Sequence, residues 1–350
     1  MSIMTVNGRI DKDDLGVTDM HEHVFFNGLA DYENSREGCK GYSPEDKVSI
    51  ENLSIIGVNP IAIKDNMIIL DERLAENELM EFKRAGGKTI VDLTTFDIGR
   101  NPIALRRISN ALNLNIITTT GYYREKFHPP KVKKMTVEEL SEEMIREIEI
   151  GIDDTDIKAG IIGELGTSET ILPNEKKVLI AAAKVNKKLG TPIAIHIDPI
   201  TNLIEPSKRV ALEVLEILSK NGANLGKVYF CHMDCDFYEF EYYKKIIKTG
   251  AYIGFDAFGE VCISTGTVYG APSDGYRVKT LLKLIDKGYI EKILIGNDTW
   301  SKAQLHKYGG FGYDHFLSNI VPFIKKRGST NEQLNILLVE NPKRFLNVEG

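Results

Sequence analysis

Seven histidines occur in the chain, and four of them stand where chemistry is possible. His21 and His23 flank Glu22 in Asp19-Met20-His21-Glu22-His23, at the end of a short apolar run. Residues two apart on a strand point to the same side, so an HxH there can offer two imidazoles to one divalent ion. Taken alone, the pair equally describes two hydrogen-bonded surface histidines. The other positions change that balance. His196, His232 and Asp298 each close a later β-branched run, and Glu164 closes another, in Gly160-Ile161-Ile162-Gly163-Glu164. Imidazole nitrogen and carboxylate oxygen are the donors that zinc and other borderline metals accept readily. A carboxylate at the end of an apolar strand needs a partner, because burying it unpaired costs several kcal/mol or forces its protonation. Cations would supply that partner.

Eight short runs are expected to be strands: Val17 to Met20, Lys88 to Leu93, Asn115 to Thr120, Gly160 to Glu164, Pro192 to His196, Lys227 to His232, Ala251 to Asp256 and Lys292 to Asp298. Apolar and small residues sit at successive positions in most, as in Ile293-Leu294-Ile295, the pattern of parallel strands buried on both faces. Amphipathic segments lie between them, with Leu140, Met144, Ile145 and Ile148 as one example and Val210, Val214, Leu215 and Leu218 as another. Several end in glycine just before the next strand, at Gly86-Gly87, Gly190, Gly222, Gly250 and Gly288. Eight strands alternating with helices over roughly 280 residues predict an α/β chain of the (β/α)8 TIM-barrel type, with 1–350 as one domain. All the candidate ligands then fall on the C-terminal rim, where barrel enzymes build their active sites. A doubly wound open sheet competes, but no GxGxxG follows the first strand. Residues 27 to 75 form a long first crossover with few signals, and 299 to 315 a long loop rich in Gly, Tyr and His.

Composition narrows the class further. With 44 Lys and Arg against 50 Asp and Glu, the net charge of −6 disfavours a general attraction to nucleic acid or anionic membrane. Apolar stretches are soon broken by Lys or Asn and fall short of the roughly 20 residues of a membrane span. Residues 1 to 20 lack an apolar signal core, so a cytoplasmic location is expected. Cys39, Cys231, Cys235 and Cys262 show no CxxC pairing and read as free thiols, with Cys231 pointing away from the metals as a core residue.

At these residues the sequence resembles the phosphotriesterase-related branch of the amidohydrolase superfamily, over nearly the whole chain. The likeness rests on the Asp19 to His23 motif, Ala85-Gly86-Gly87 leading into Thr89-Ile90-Val91-Asp92, and Thr120-Gly121-Tyr122-Tyr123. It continues through Gly163-Glu164-Leu165-Gly166-Thr167-Ser168, Asp298, Tyr308-Gly309-Gly310-Phe311-Gly312-Tyr313 and Glu340-Asn341-Pro342. The resemblance implies a binuclear metal barrel. His21, His23 and Asp298 would hold the more buried ion, His196 and His232 the more exposed one, and Glu164 would bridge both, where many members use a carboxylated lysine. Zinc is the first expectation, with cobalt, manganese or iron as substitutes. Two dications about 3.5–4 Å apart repel and need anionic bridges. Asp298 would be both ligand and acceptor of the proton released by the attacking hydroxide. Read without the resemblance, a helix N-cap before Thr299 is the alternative role for this aspartate.

Substrate class is read from the loops. Tyr122 and Tyr123 can touch substrate or simply line the rim. Ala257 stands beside Asp256 where phosphotriester-cleaving relatives tend to carry a histidine, and Asn297 replaces the usual histidine before the last aspartate. The first departure argues against true phosphotriesterase activity. Rim cations (Arg124, Lys126, Arg277, Lys279, Lys302, His306 and Lys307) can bind an anionic tail, with Lys302 preferred because it lies four residues past Asp298. Among members of this branch, the first expectation is a lactonase, with a sugar lactone phosphate as the sharper form. An N-acyl amide or phosphoester hydrolase with the same metals is the alternative, and a non-catalytic ligand-binding barrel the remoter one. The expected partners are a small-molecule substrate and a second copy in a homodimer. Asp92, Asp256, Asp234 and Asp236 are candidates to orient ligand imidazoles.

Overall fold

A computed structural model describes residues 2–32, 41–198, 210–235, 240–260 and 272–348. Its parallel strands are β1 (Thr18–Glu22), β2 (Thr89–Asp92), β3 (Asn115–Ile117, resuming at Thr119–Thr120), β4 (Ile161–Leu165), β5 (Ile193–Ile195), β6 (Val228–Phe230), β7 (Tyr252–Phe255) and β8 (Ile293–Ile295). All eight expected strands form, in sequence order around the barrel. The interruption at Thr118 lets the first half of β3 pair with β2 and the second with β4. Between β8 and β1 a backbone bond from Asp298 N to His21 O, 3.0 Å, helps close the ring. The chain is a (β/α)8 barrel, as the strand count predicts.

One buried side chain from each strand, Met20, Val91, Ile117, Ile161, Ala194, Tyr229, Tyr252 and Leu294, packs into a single cluster. A set drawn from every strand can meet only on the barrel axis, so the interior is filled rather than hollow. Phe345 closes the lower end against the rings of Tyr229 and Tyr252. Outside the sheet run helices α1 (Glu72–Arg84), α2 (Pro102–Leu112), α3 (Val137–Glu149), α4 (Pro173–Leu189), α5 (Val210–Lys220), α6 (Phe240–Ile247) and α7 (Asp274–Asp286). Their apolar stripes form for identifiable reasons. In α3 a capping box between Thr136 and Glu139 satisfies the first orphan N–H groups, and Leu140 and Met144 face the sheet.

Strands β5, β6 and β8 are shorter than expected, and His196, His232 and Asp298 lie beyond their ends. His232 and Asp298 adopt left-handed backbone, φ 59° and 51°. Such values are uncommon outside glycine and cluster at functional sites. They also explain a correction. Cys231 was expected to point away from the site, but the turn at His232 ends strand alternation. Both side chains therefore lie over the axis, the Cys231 sulfur within 4.8 Å of donor atoms of His21 and Asp256. Cys231 and Cys235 are free thiols, as expected; Cys39 and Cys262 lie outside the described residues.

The first crossover carries short elements. Phe26–Asn27 pairs antiparallel with Ile68–Ile69, and helix Leu53–Val58 lies between. It meets the loop after β8 through Lys302 to Asp65, 2.8 Å, and Ala303 N to Asn66 Oδ1, 2.9 Å. Together these loops roof part of the C-terminal rim. Among the described residues no helix is long and apolar enough to cross a membrane.

Candidate metal centre

Six side chains from five strand ends converge at that rim, all in essentially buried positions. A register slip between Asp19 and Glu22 bulges β1 as it delivers His21 and His23. Glu164 occupies the centre. Its Oε1 lies 2.8 Å from His232 Nε2, 3.0 Å from His196 Nδ1 and 3.8 Å from His21 Nε2, and its Oε2 lies 3.8 Å from His23 Nε2. Asp298 Oδ1 stands 3.3 Å from His23 Nε2 and 3.5 Å from His21 Nε2. Two atoms held about 2.0–2.2 Å from one tetrahedral ion stand roughly 3.3–3.6 Å apart, so His21, His23 and Asp298 have the spacing of co-ligands. His196, His232 and Glu164 are mutually 2.8–3.0 Å apart, and an ion roughly 2 Å from each would sit about 1 Å off their plane. The imidazole nitrogen His21 Nε2 is buried with no hydrogen-bond partner, a donor atom held ready for a cation. The residues fit the metal ions that the sequence implied.

Ligand orientation is set one layer out. Asp256 accepts from His21 Nδ1 (2.9 Å), from the backbone N–H of His232 (2.7 Å) and from the Tyr229 hydroxyl. Burial alone would raise its pKa, but the His232 and His21 imidazoles outweigh that and hold it far down. With its oxygens committed in this way, Asp256 is an orienting group rather than a ligand. His23 Nδ1 is fixed by Thr94 Oγ1 at 3.0 Å, and Asp92 in turn accepts from Thr94 and from Val24 N. Asp92 and Asp256 thus fill the roles considered for them. Asp234 instead pairs with Arg277 and accepts from Ala257 N; Asp236 lies outside the described residues. Asn297 donates to both Asp19 and Glu22, at 2.7 and 3.0 Å, tying β8 to β1 beneath the ligands.

A cavity of about 280 Å³ opens above the cluster, with His23, Glu164, His196, His232 and Asp298 in its floor. Tyr123 lines it, with its hydroxyl 3.2 Å from His196 Nδ1. Burial pushes this phenol well up, so it remains a proton donor. Tyr122 turns the other way, donates to Glu143 and does not reach the cavity. Lys302 is corrected too, because its ammonium is tied to Asp65 between two loops and does not line the cavity. Arg277 is fully buried in α7, enclosed by Asp234, Asp274 and Glu260, and contacts the cavity only through Glu260. Of the rim cations only Arg124 and Lys126 line the cavity. Sequence reasoning missed Trp300, Asp31, Asp198 and Glu260, which also line it. Asp198, two residues past His196, carried a signal in strand alternation; Asp31 lies in the crossover and carried none.

Two glycines let the end of β4 approach the chain on either side, the segment after β3 and strand β5. A Cβ on Gly166 would stand 2.1 Å from Arg124 N, and one on Gly163 2.1 Å from Ala194 O. Arg100 reinforces the same turn. Its fork bonds Glu147 at 2.7 and 2.8 Å, and Glu147 also accepts from Thr120.

Without metal, His21 is pushed up to about 9: burial would lower it, but Asp298, Glu164 and Asp256 more than compensate. A metal ligand must be the neutral imidazole, so loading displaces a proton at neutral pH. Metal affinity is therefore expected to rise about tenfold per pH unit for each proton displaced, with the contribution of His21 flattening above about pH 9. Titration calorimetry in two buffers of different ionisation enthalpy reads the proton count, and zero protons released at pH 7 would contradict it.

A barrel whose C-terminal rim gathers four histidines and two carboxylates into such ligand sets is a metal-dependent hydrolase. Residues 1–346 match the Phosphotriesterase family, and the chain belongs to that family. It is similar to an N-acetyltaurine hydrolase of Dictyostelium discoideum, at 38% identity over 99% of this chain and 98% of that one. Among solved structures it is similar to a resiniferatoxin-binding protein from Rhodobacter sphaeroides, with TM-score 0.94, 32% identity and coverage of 100% and 96%. A lactonase from Listeria monocytogenes aligns with TM-score 0.79 at 25% identity, covering both chains fully.

Proposed function

We propose that the chain hydrolyses N-acyl amides that carry an acidic tail, using two divalent ions, zinc first among them. The observation that carries this reading is the end-to-end likeness, at 38% identity, to a hydrolase of N-acetyltaurine, against 25% for the lactonase. It moves the amide alternative ahead of the lactone that the sequence motifs suggested first.

The ions, when bound, polarise the acyl carbonyl and make water acidic enough to supply a nucleophile at neutral pH. The chain's own residues do the rest. Glu164 places one negative charge among four imidazoles. Asp298 lines the cavity floor and can take the proton from the attacking water at its carboxylate and pass it to the departing amine nitrogen. An amine leaves poorly without that proton, so an amidase depends on this transfer more than a lactonase does. Tyr123, a protonated phenol at the wall, can donate to substrate oxygen.

A panel of N-acetyltaurine, N-acetyl amino acids, lactones and aryl phosphotriesters tests the reading. The expected order places an acidic N-acyl amide at least tenfold above any lactone in kcat/KM. Strong lactone turnover with no amide turnover would return the assignment to a lactonase.

A further inference from the structure

We infer that Arg124, with Lys126 beside it, grips the substrate's acidic tail, a sulfonate or carboxylate, while the amide lies over Glu164 and Asp298. This subsite rests on the amide reading for its substrate but on separate residues for its evidence. Arg124 follows Tyr123 directly, so the guanidinium stands at the wall next to the phenol that touches His196, with its carbon 5.1 Å from the Tyr123 ring centre. Its side chain is only 14% exposed.

Donor counting makes the case. A guanidinium carries five N–H donors in a rigid fork. Among the described residues Arg124 makes one hydrogen bond, from Nη2 to Asp31. Its Nη1 faces Asp198 at 3.6 Å, beyond hydrogen-bond reach, and its Nε is buried and bonds to nothing. Leaving donors of a buried cation unused is costly, and an oxyanion accepting from Nε and Nη1 would remove that cost without displacing Asp31. Asp31 offers its other oxygen to Lys126, which fixes the second cation at the same mouth. Arg124 and Lys126 are the two Lys or Arg side chains that line the cavity among the described residues. Elsewhere on the rim, Lys302 is held by Asp65 and Arg277 by Asp234, Asp274 and Glu260. An amide with an anion a few bonds from its nitrogen would thus be oriented at both ends.

The test compares the metal-loaded parent with Arg124→Gln, Arg124→Lys and Lys126→Gln. The substrates are N-acetyltaurine, N-acetyl-β-alanine and the uncharged N-acetylethanolamine; binding of taurine itself is followed by calorimetry. Arg124→Gln is expected to cut the ratio of kcat/KM for acidic over uncharged tails on the order of ten- to hundredfold, chiefly through KM, with the metal complement retained. Arg124→Lys restores part of the ratio, since charge returns without the fork. Lys126→Gln, at an exposed position that the fold tolerates, lowers it severalfold. The relative loss on sulfonate and carboxylate tells which tail the fork prefers. An unchanged ratio in Arg124→Gln and Lys126→Gln overturns the subsite even if amides are good substrates. If the parent cleaves none of the three amides, the proposed activity fails. Taurine binding then decides the subsite by itself, with Arg124-dependent binding supporting it and binding indifferent to Arg124→Gln refuting it.

Discussion

Glu164→Gln is expected to reduce bound metal from about two ions per chain to one or fewer and to lower kcat/KM by at least about a thousandfold. The carboxylate is 1% exposed and is the one group that all four imidazoles face, at 2.8–3.8 Å. The amide keeps its size and one acceptor but removes the charge that would screen the proposed pair of dications, and it turns N–H donors toward ring nitrogens that would have to donate electron pairs to them. Burial of the carboxyl would raise its pKa, yet His196, His21 and His232 hold it well below the ordinary range, so the parent keeps this charge at any working pH. Elemental analysis, kcat/KM and far-UV circular dichroism on one preparation check the prediction. A variant with two ions and parental turnover would remove Glu164 from the mechanism.

Asp298→Asn should lower kcat by about 10²- to 10⁴-fold while changing KM far less. The substitution is unusually clean. Asp298 sits at φ 51°, a conformation that Asn tolerates as well as Asp, so the backbone and its bond to His21 O can persist. What disappears is an oxygen able to accept a proton and a charged ligand 3.3 Å from His23 and 3.5 Å from His21. Restoring full metal occupancy with excess zinc separates the two losses: turnover that returns to within tenfold of the parent under saturation would leave Asp298 as ligand alone.

Much of this site could be read from the chain. Each ligand stands at or just past the end of an apolar run, and a parallel barrel puts all such ends on one rim. Periodicity and strand counting therefore sufficed to place His21, His23, Glu164, His196, His232 and Asp298 together at one rim. Reading failed where a residue's role depends on what another segment brings to it. Lys302 is near Asp298 in sequence, but Asp65 in the crossover captures it. Arg277 sits on α7 and meets Asp234 from the loop after β6. Tyr122 and Tyr123 are alike in type, and only the direction of each ring separates a helix contact with Glu143 from a place in the cavity.

The sequence by itself determined the barrel and its ring of candidate metal ligands, because both follow from local periodicity and from the fixed polarity of parallel strands. Only the tertiary structure decided which cations face the cavity, which acids orient the imidazoles and where Cys231 points. Those outcomes turn on backbone twists at single residues such as His232 and on ion pairs formed across long loops, and neither leaves a repeating pattern in the order of amino acids.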